Sequence, residues 1–402
     1  MPIRVVFMTF YFEAWDALAE VYSRMKADPR FDVTVVAISR RLTGEIDFDD
    51  AAEVSKFFTD AGIEHLVNAD IRELNADYVF INYPWQRNYP KQYRAEALAK
   101  FTRIAYVPYY SVSLVDEPGS GNEVAPHLYT QRSHQLASLI FVQTEAMREA
   151  FASTSRGNRH VHFVGSPKLD QLVNEVRAAG VYGHGLRLVW APHHSYSPSW
   201  LNFGTFAATH SDMLRWASEH PEVQITLRPH PFLFGTLVDR EVMTAEALDE
   251  WLGAWKALPN TKIDSESSSA EVFINSDALI TDGISYLAEY PLATGRPAFF
   301  IENPQHWQFS DIGELAGASS IRVESIDQVE IRDGQFVLAD RTEQIAALKA
   351  AAMPFDGESA ARIVEVVAAD FGADGSSSPL VDASQITEVA WEFQPGREPQ
   401  ID

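Results

Sequence analysis

Short β-branched, apolar runs alternate with helically spaced segments through most of this chain, and that alternation restricts its fold more than any other feature. Arg4 to Phe10, Val33 to Ile38, Tyr78 to Tyr83, Ile104 to Val107, Leu139 to Val142 and Val161 to Val164 read as buried strands. Helical spacing occupies the intervals near Ala14–Met25, Ala51–Ala61, Tyr93–Phe101, His127–Leu136 and Glu145–Phe151. Strands and helices in strict alternation build a parallel, doubly wound sheet. The glycine-rich stretch from Ala178 to Gly185 interrupts the pattern and reads as a linker. Strands then resume at Leu186–Trp190, Val223–Leu227, Thr261–Ile263, Ala278–Ile280 and Ala298–Ile301. Helical stretches near Thr205–Ser218, Ala245–Trp255, Ser269–Ile274 and Ile284–Thr294 separate them. The expected organisation is an N-terminal Rossmann-like domain over 1–180, a second over 186–370 and an acidic, weakly structured tail over 371–402, in which Trp391 and Phe393 could dock locally.

A chain of 402 residues suits about two domains of this kind. Its formal charge of −24 argues against non-specific binding to nucleic acid or adhesion to an anionic membrane, since both depend on Lys and Arg near phosphates. An anionic substrate therefore needs a local basic pocket. Zero cysteines exclude disulfides, thiolate metal sites and a cysteine nucleophile. No apolar run approaches the ~20 residues of a spanning helix. The opening MPIRVVFMTF enters a strand without a signal-peptide pattern, so the expected location is the cytoplasm.

Three loops that follow strands of the second half carry the chemistry. They are Trp190-Ala191-Pro192-His193-His194-Ser195, Arg228-Pro229-His230-Pro231 and Thr281-Asp282-Gly283-Ile284-Ser285. Ligands of open α/β sheets bind beyond the carboxyl ends of strands, where such loops converge. Arg228 and His230 supply positive charge or donors for an anion. Ser285 could open or cap a helix whose N-terminus attracts phosphate, and Glu289, one turn further along the same face, could accept hydrogen bonds from a ribose. A metal is not expected: His193 and His194 are adjacent and would point different ways on an extended chain, and there is no HExxH pair. No GxSxG, P-loop or GxGxxG follows a strand, which removes the simple hydrolase, NTPase and dehydrogenase readings. What remains is a nucleotide bound without Walker chemistry and without a cofactor.

At this point the residues resemble a family. Gly165-Ser166-Pro167-Lys168-Leu169-Asp170, the Ala191-Pro192 loop, Arg228-Pro229-His230-Pro231, the Thr281–Ser285 turn with Glu289, and Asp356-Gly357 followed by Arg362 occur in the order seen in CDP-glycerol glycerophosphotransferases of teichoic-acid and capsule synthesis. The matches run from about Val164 to Val367. The resemblance implies a GT-B architecture: two Rossmann-like domains facing a cleft, with the C-terminal helix crossing back to the N-terminal domain. It also implies that Arg228, His230, Asp282 and Ser285, with the Gly283 turn and the His193–His194 loop, hold the pyrophosphate of a CDP-linked donor and Glu289 its ribose. His230 would stabilise the departing phosphate without a metal.

Where the family carries a catalytic histidine after an N-terminal strand, this chain reads Val107-Pro108-Tyr109-Tyr110-Ser111, with neither histidine nor lysine. Glu13 is the expected replacement base, because a carboxylate in a cleft can have its pKa raised towards neutrality. Asp116 and His127 are weaker candidates. Tyr109, Tyr110 and Asp116 are expected to meet the acceptor. The leading expectation is therefore a transferase that moves a polyol-phosphate or glycosyl group onto a hydroxyl acceptor. A nucleotide-sugar epimerase of the same architecture is the second reading, and a nucleotide-binding assembly subunit without turnover the third.

Overall fold

In the first half of the chain, buried apolar residues populate nearly the whole of each inner strand, the pattern of a parallel sheet covered on both faces. The computed structural model describes residues 2–41, 47–116, 129–180, 185–198, 200–265, 268–355, 357–372 and 378–390. Contacts divide the chain into two units. The first contains Met1–Val112, Ala125–Gln171 and Ala352–Ile401, and the second Ser113–Val124 and Leu172–Ala351 together with Asp402.

The first unit runs β1 (Ile3–Thr9), α1 (Asp16–Ala27), β2 (Phe31–Ala37), α2 (Ala52–Asp60), β3 (Leu66–Val67), β4 (Tyr78–Ile81), α3 (Ala95–Leu98), β5 (Arg103–Tyr106), α4 (Arg132–Leu136), β6 (Leu139–Val142), α5 (Glu145–Ala150), β7 (Val161–Phe163) and α6 (Pro167–Ala179), within which the division falls. Its sheet has the order β3-β2-β1-β4-β5-β6-β7, parallel throughout. The strand order reverses between β1 and β4, where Val5 pairs with Tyr78. Strand β3 escapes the sequence pattern because it is a two-residue edge with both side chains exposed.

The second unit continues with β8 (Arg187–Ala191), α7 (Phe206–Glu219), β9 (Gln224–Leu227), α8 (Leu233–Asp239), α9 (Ala245–Ala257), β10 (Thr261–Ile263), α10 (Ser269–Ile274), β11 (Ala278–Thr281), α11 (Ser285–Thr294), β12 (Phe299–Phe300), α12 (Asp311–Ala318), β13 (Ile321–Arg322), the hairpin β14 (Ile331–Arg332) and β15 (Gln335–Phe336), and α13 (Thr342–Ala352). The order β10-β9-β8-β11-β12-β13 is parallel and reverses between β8 and β11. Trp190 of β8 stacks on Phe206 of α7 at 5.2 Å in a core that includes Trp251 and Trp255. This six-strand order is that of a dinucleotide-binding fold, and its reversal is where ligands of such sheets bind.

The last helix, α14 (Ser359–Phe371), belongs to the first unit, as the GT-B resemblance implied, although the expected bounds of 186–370 counted it with the second domain. Its Ile363 and Val367 are fully buried in one core with Leu18, Val21 and Met25 of α1. Arg30 after α1 pairs with Glu365 at 2.6 Å, and Asp370 accepts from the Tyr78 hydroxyl. The Gly165–Asp170 turn fixes the helix start: the Ser359 N–H donates to Asp170 Oδ2 at 3.0 Å, and Gly165, at φ +89°, leaves no room for a Cβ beside Ser359. The segment 378–390, expected to be weakly structured, also docks on this unit. Ser155 donates through its hydroxyl to Glu388 at 2.9 Å, and Gln135 donates to the Glu388 carbonyl at 3.2 Å. Trp391, Phe393 and Asp356 lie outside the described residues. Shortening Ile363 to valine should cost about 0.5–1.5 kcal/mol, read as a lower urea midpoint at unchanged slope.

Candidate functional site

The three loops singled out by sequence meet at the strand-order reversal of the second sheet. In β11, Thr281 pairs with Ala191 of β8, while Trp190 of β8 pairs with Leu227 of β9, so the three strands end side by side. Beyond their ends the loops stay tied: Arg228 N–H donates to the Trp190 carbonyl at 2.7 Å, and His230 N–H to the Pro192 carbonyl at 3.1 Å.

The rings of His193 and His194 lie 4.5 Å apart, which overturns the expectation that they point different ways. His194 also stacks on His230 at 3.9 Å and 27°. His193 Nδ1 lies 2.8 Å from Ser195 Oγ and accepts from the Ser195 N–H at 3.2 Å, while His230 Nδ1 accepts from the Phe232 N–H at 3.2 Å. Burial pushes all three imidazoles down, His194 to about 4 with the Arg240 charge as a second cause. At neutral pH they are uncharged rings, able to donate one N–H each and to offer one lone pair each.

Asp282 does not present its carboxylate to a ligand, as the family resemblance implied. It is buried, and both oxygens are used within the protein. Oδ1 accepts from His193 N–H at 2.6 Å, and Oδ2 from Thr205 N–H at 2.6 Å and the Thr205 hydroxyl at 3.0 Å. A carboxylate facing a phosphate would repel it. In this position it instead clamps the loop after β8 and the start of α7 to the end of β11. Burial raises its acid to about 7 against these donors.

Ser285 is the first residue of α11 and exposed, so it does not cap the helix; the cap position is Ile284, with no side-chain hydrogen bond. The leading amides of α11 thus have no side-chain cap, the condition under which a helix start receives an anion. Gly283 makes the turn possible, at φ +144° and pressed against the Phe203 ring. Glu289 follows one turn later and is buried. Arg228 is engaged by Asp264, whose carbonyl and carboxylate lie 3.2 and 3.4 Å from its guanidinium. Thr205 and Phe203 were not singled out from sequence, and Ser195 only as the last residue of the first loop; the threonine at the start of the α7 pattern was the available sign.

The residues expected to act from the first half do not form one group. Glu13, in a short turn after β1, pairs with Arg40 at 2.7 Å, and Arg40 also meets Glu53 and Asp49. Its carboxylate is thus part of an acidic ring around one buried guanidinium. Tyr109 packs against Tyr11, Tyr83 and Tyr110 at 5.9, 5.4 and 5.4 Å. Burial pushes the hydroxyls of Tyr109 and Tyr110 up, which keeps them protonated donors. Asp116 belongs to the second unit, where its N–H donates to the Gln308 carbonyl at 2.9 Å, whereas the two tyrosines belong to the first. His127 lies outside the described residues.

No protein-family profile matches the sequence, and no curated protein matches it. Solved structures do. A Listeria monocytogenes structure assigned to the UDP-N-acetylglucosamine 2-epimerases is similar at TM-score 0.59 and 12% identity, over 95% of this chain and all of that one. The Neisseria meningitidis UDP-GlcNAc 2-epimerase bound to UDP-GlcNAc is similar at 0.54 and 12%, over 92% of this chain and all of its own. The chain has the GT-B fold. The wall teichoic acid polymerase TagF is also similar, at TM-score 0.52 and 14% identity, over 92% of this chain and 89% of the polymerase. The expectation of a CDP-glycerol-type transferase is corrected by this set, in which several 2-epimerases carry the same fold over more than nine-tenths of the chain. Loops suited to a nucleotide at the strand-order reversal are compatible with either chemistry and so do not select the transferase. Among the described residues, no helix is long and apolar enough to cross a membrane.

Proposed function

We propose that this GT-B protein is a nucleotide-sugar epimerase that binds a UDP-linked sugar through its second unit. The observation that carries this reading is the convergence of His193, His194, His230 and the uncapped start of α11 at the carboxyl ends of β8, β9 and β11. The leading amides of α11 and the imidazole N–H groups are donors of the kind a pyrophosphate accepts from. Holding the diphosphate in preorganised donors stabilises the charge that develops on it when its bond to the sugar weakens. Glu289, one helical turn beyond, is the residue assigned to the ribose. The solved relatives that bind UDP or UDP-GlcNAc support the choice of base.

The test is incubation of purified protein with UDP-N-acetylhexosamines in the absence of any acceptor, with NMR of the nucleotide-sugar products. Conversion to the epimer is expected. A protein that binds UDP but leaves the configuration of every UDP-sugar unchanged would overturn the reading. His230→Ala should weaken UDP binding about 10–100-fold by calorimetry, the loss of one hydrogen bond to a charged group.

A further inference from the structure

We infer that His193, His194 and His230 form a binding site for a first-row divalent cation of the Zn2+ class. One ring nitrogen from each of the three lies within 4.8 Å of the others, and among the described residues they form a group with the ligand types and spacing to hold an ion. His193 and His194 are only 8% and 9% exposed, and all three rings come from two loops tied together by the His230 N–H to Pro192 carbonyl bond.

His194 Nδ1 is buried without a hydrogen-bond partner. Such an atom is costly in a folded protein, and coordination would satisfy it. His193 Nδ1 accepts from the Ser195 N–H at 3.2 Å and lies 2.8 Å from Ser195 Oγ, and His230 Nδ1 accepts from the Phe232 N–H at 3.2 Å. If His193 ligated through Nε2, the ring proton carried there would move to Nδ1 and be donated to Ser195 Oγ at 2.8 Å in place of the Ser195 N–H contact, the outer-sphere contact that usually orients a metal-bound histidine.

The donor set selects the ion. Three imidazoles suit Zn2+, Co2+, Ni2+ or Cu2+, whereas Mg2+ and Ca2+ require oxygen ligands. Asp282 is the nearby carboxylate, and its two oxygens are already committed to His193 and Thr205. Zn–N bonds of about 2.0–2.1 Å place ligand nitrogens roughly 3.3 Å apart, so the three nitrogens, within 4.8 Å of one another without the ion, must draw together around it. Three protein ligands leave a fourth position for solvent or a ligand oxygen, as in non-structural zinc sites.

The test uses the full chain, stripped with a chelator and free of nucleotide, so its outcome is separate from the epimerase reading. Added Co2+ should give visible d–d bands of low-coordinate geometry at one equivalent, displaced by Zn2+ and untouched by Mg2+. His194→Gln and His230→Gln should each lower Zn2+ affinity at least tenfold in calorimetry, while His220→Ala, on the exposed end of α7, should not. Should a glutamine variant fail to fold, paramagnetically shifted imidazole N–H signals in the wild-type Co2+ complex supply the same answer. Absence of the bands, shifted signals from other histidines, equal binding of Mg2+, or folded glutamine variants with wild-type affinity would each overturn the site.

Discussion

Replacing Asp282 with alanine is expected to destabilise the protein by about 2–5 kcal/mol near pH 5, and by clearly less near pH 8. The loss comes from the amides of His193 and Thr205, which lie 89 and 77 residues from the clamp in sequence and would be left buried without acceptors. Each orphaned donor costs roughly 1–3 kcal/mol. The pH dependence follows from the direction of the Asp282 shift. Its acid lies at about 7 in the folded protein against an ordinary 3.8, with burial as the leading cause. The folded state therefore holds the proton more tightly than the unfolded chain, and the contribution is complete below the unfolded midpoint and declines as pH rises through the folded one. A displacement of that size corresponds to roughly 4 kcal/mol, comparable to the hydrogen bonds it opposes. Other carboxylates titrate alike in both proteins and cancel in the comparison. Urea unfolding of wild type and Asp282→Ala at both pH values measures it; two parallel pH profiles would show that Asp282 remains ionised throughout.

The contrast between Asp282 and its neighbours also marks how far the sequence could be read. Periodicity located the strands that carry the site: β8 and β11 are mostly buried and apolar, β9 alternates, and they run on into Pro192, Asp282 and Arg228 respectively. Their placement side by side followed from the parallel fold. The partners of Asp282 did not, because hydrogen bonds between loops distant in sequence leave no local pattern. The same holds for Glu13, whose pairing with Arg40 spans 27 residues, and for the histidines, whose approach joins the loops after β8 and β9. For Ser285 the sequence left two readings, cap or first residue, and the helix begins at it. The return of α14 to the first unit was legible only through family resemblance, since its apolar face fits either domain equally well. The reaction itself was not legible, because loops suited to a diphosphate are indifferent to the chemistry beyond it.

Gly283→Ala is expected to be still more disruptive, at about 3–6 kcal/mol, and to abolish nucleotide binding in whatever fraction remains folded. Two costs combine. The backbone at φ +144° is one that side chains with a Cβ rarely adopt, a strain of roughly 1–3 kcal/mol. A Cβ there would also lie 2.5 and 2.9 Å from ring atoms of Phe203. Phe203 cannot yield easily, because it is fully buried, stacked on His306 at 4.4 Å and in contact with Phe309 at 5.9 Å. Its own N–H is held by Ser195 Oγ, the atom that contacts His193 Nδ1. Relief of the clash would therefore move the loop bearing the histidines, coupling the turn at α11 to the loop after β8. Gly295, which closes the same helix at φ +71° with nothing within 4 Å of where a methyl would sit, isolates the backbone cost. Gly295→Ala should lose only about 1 kcal/mol and keep UDP affinity. Equal losses for the two variants, in urea unfolding and calorimetry, would mean that Phe203 moves freely and that the two loops are not coupled through it.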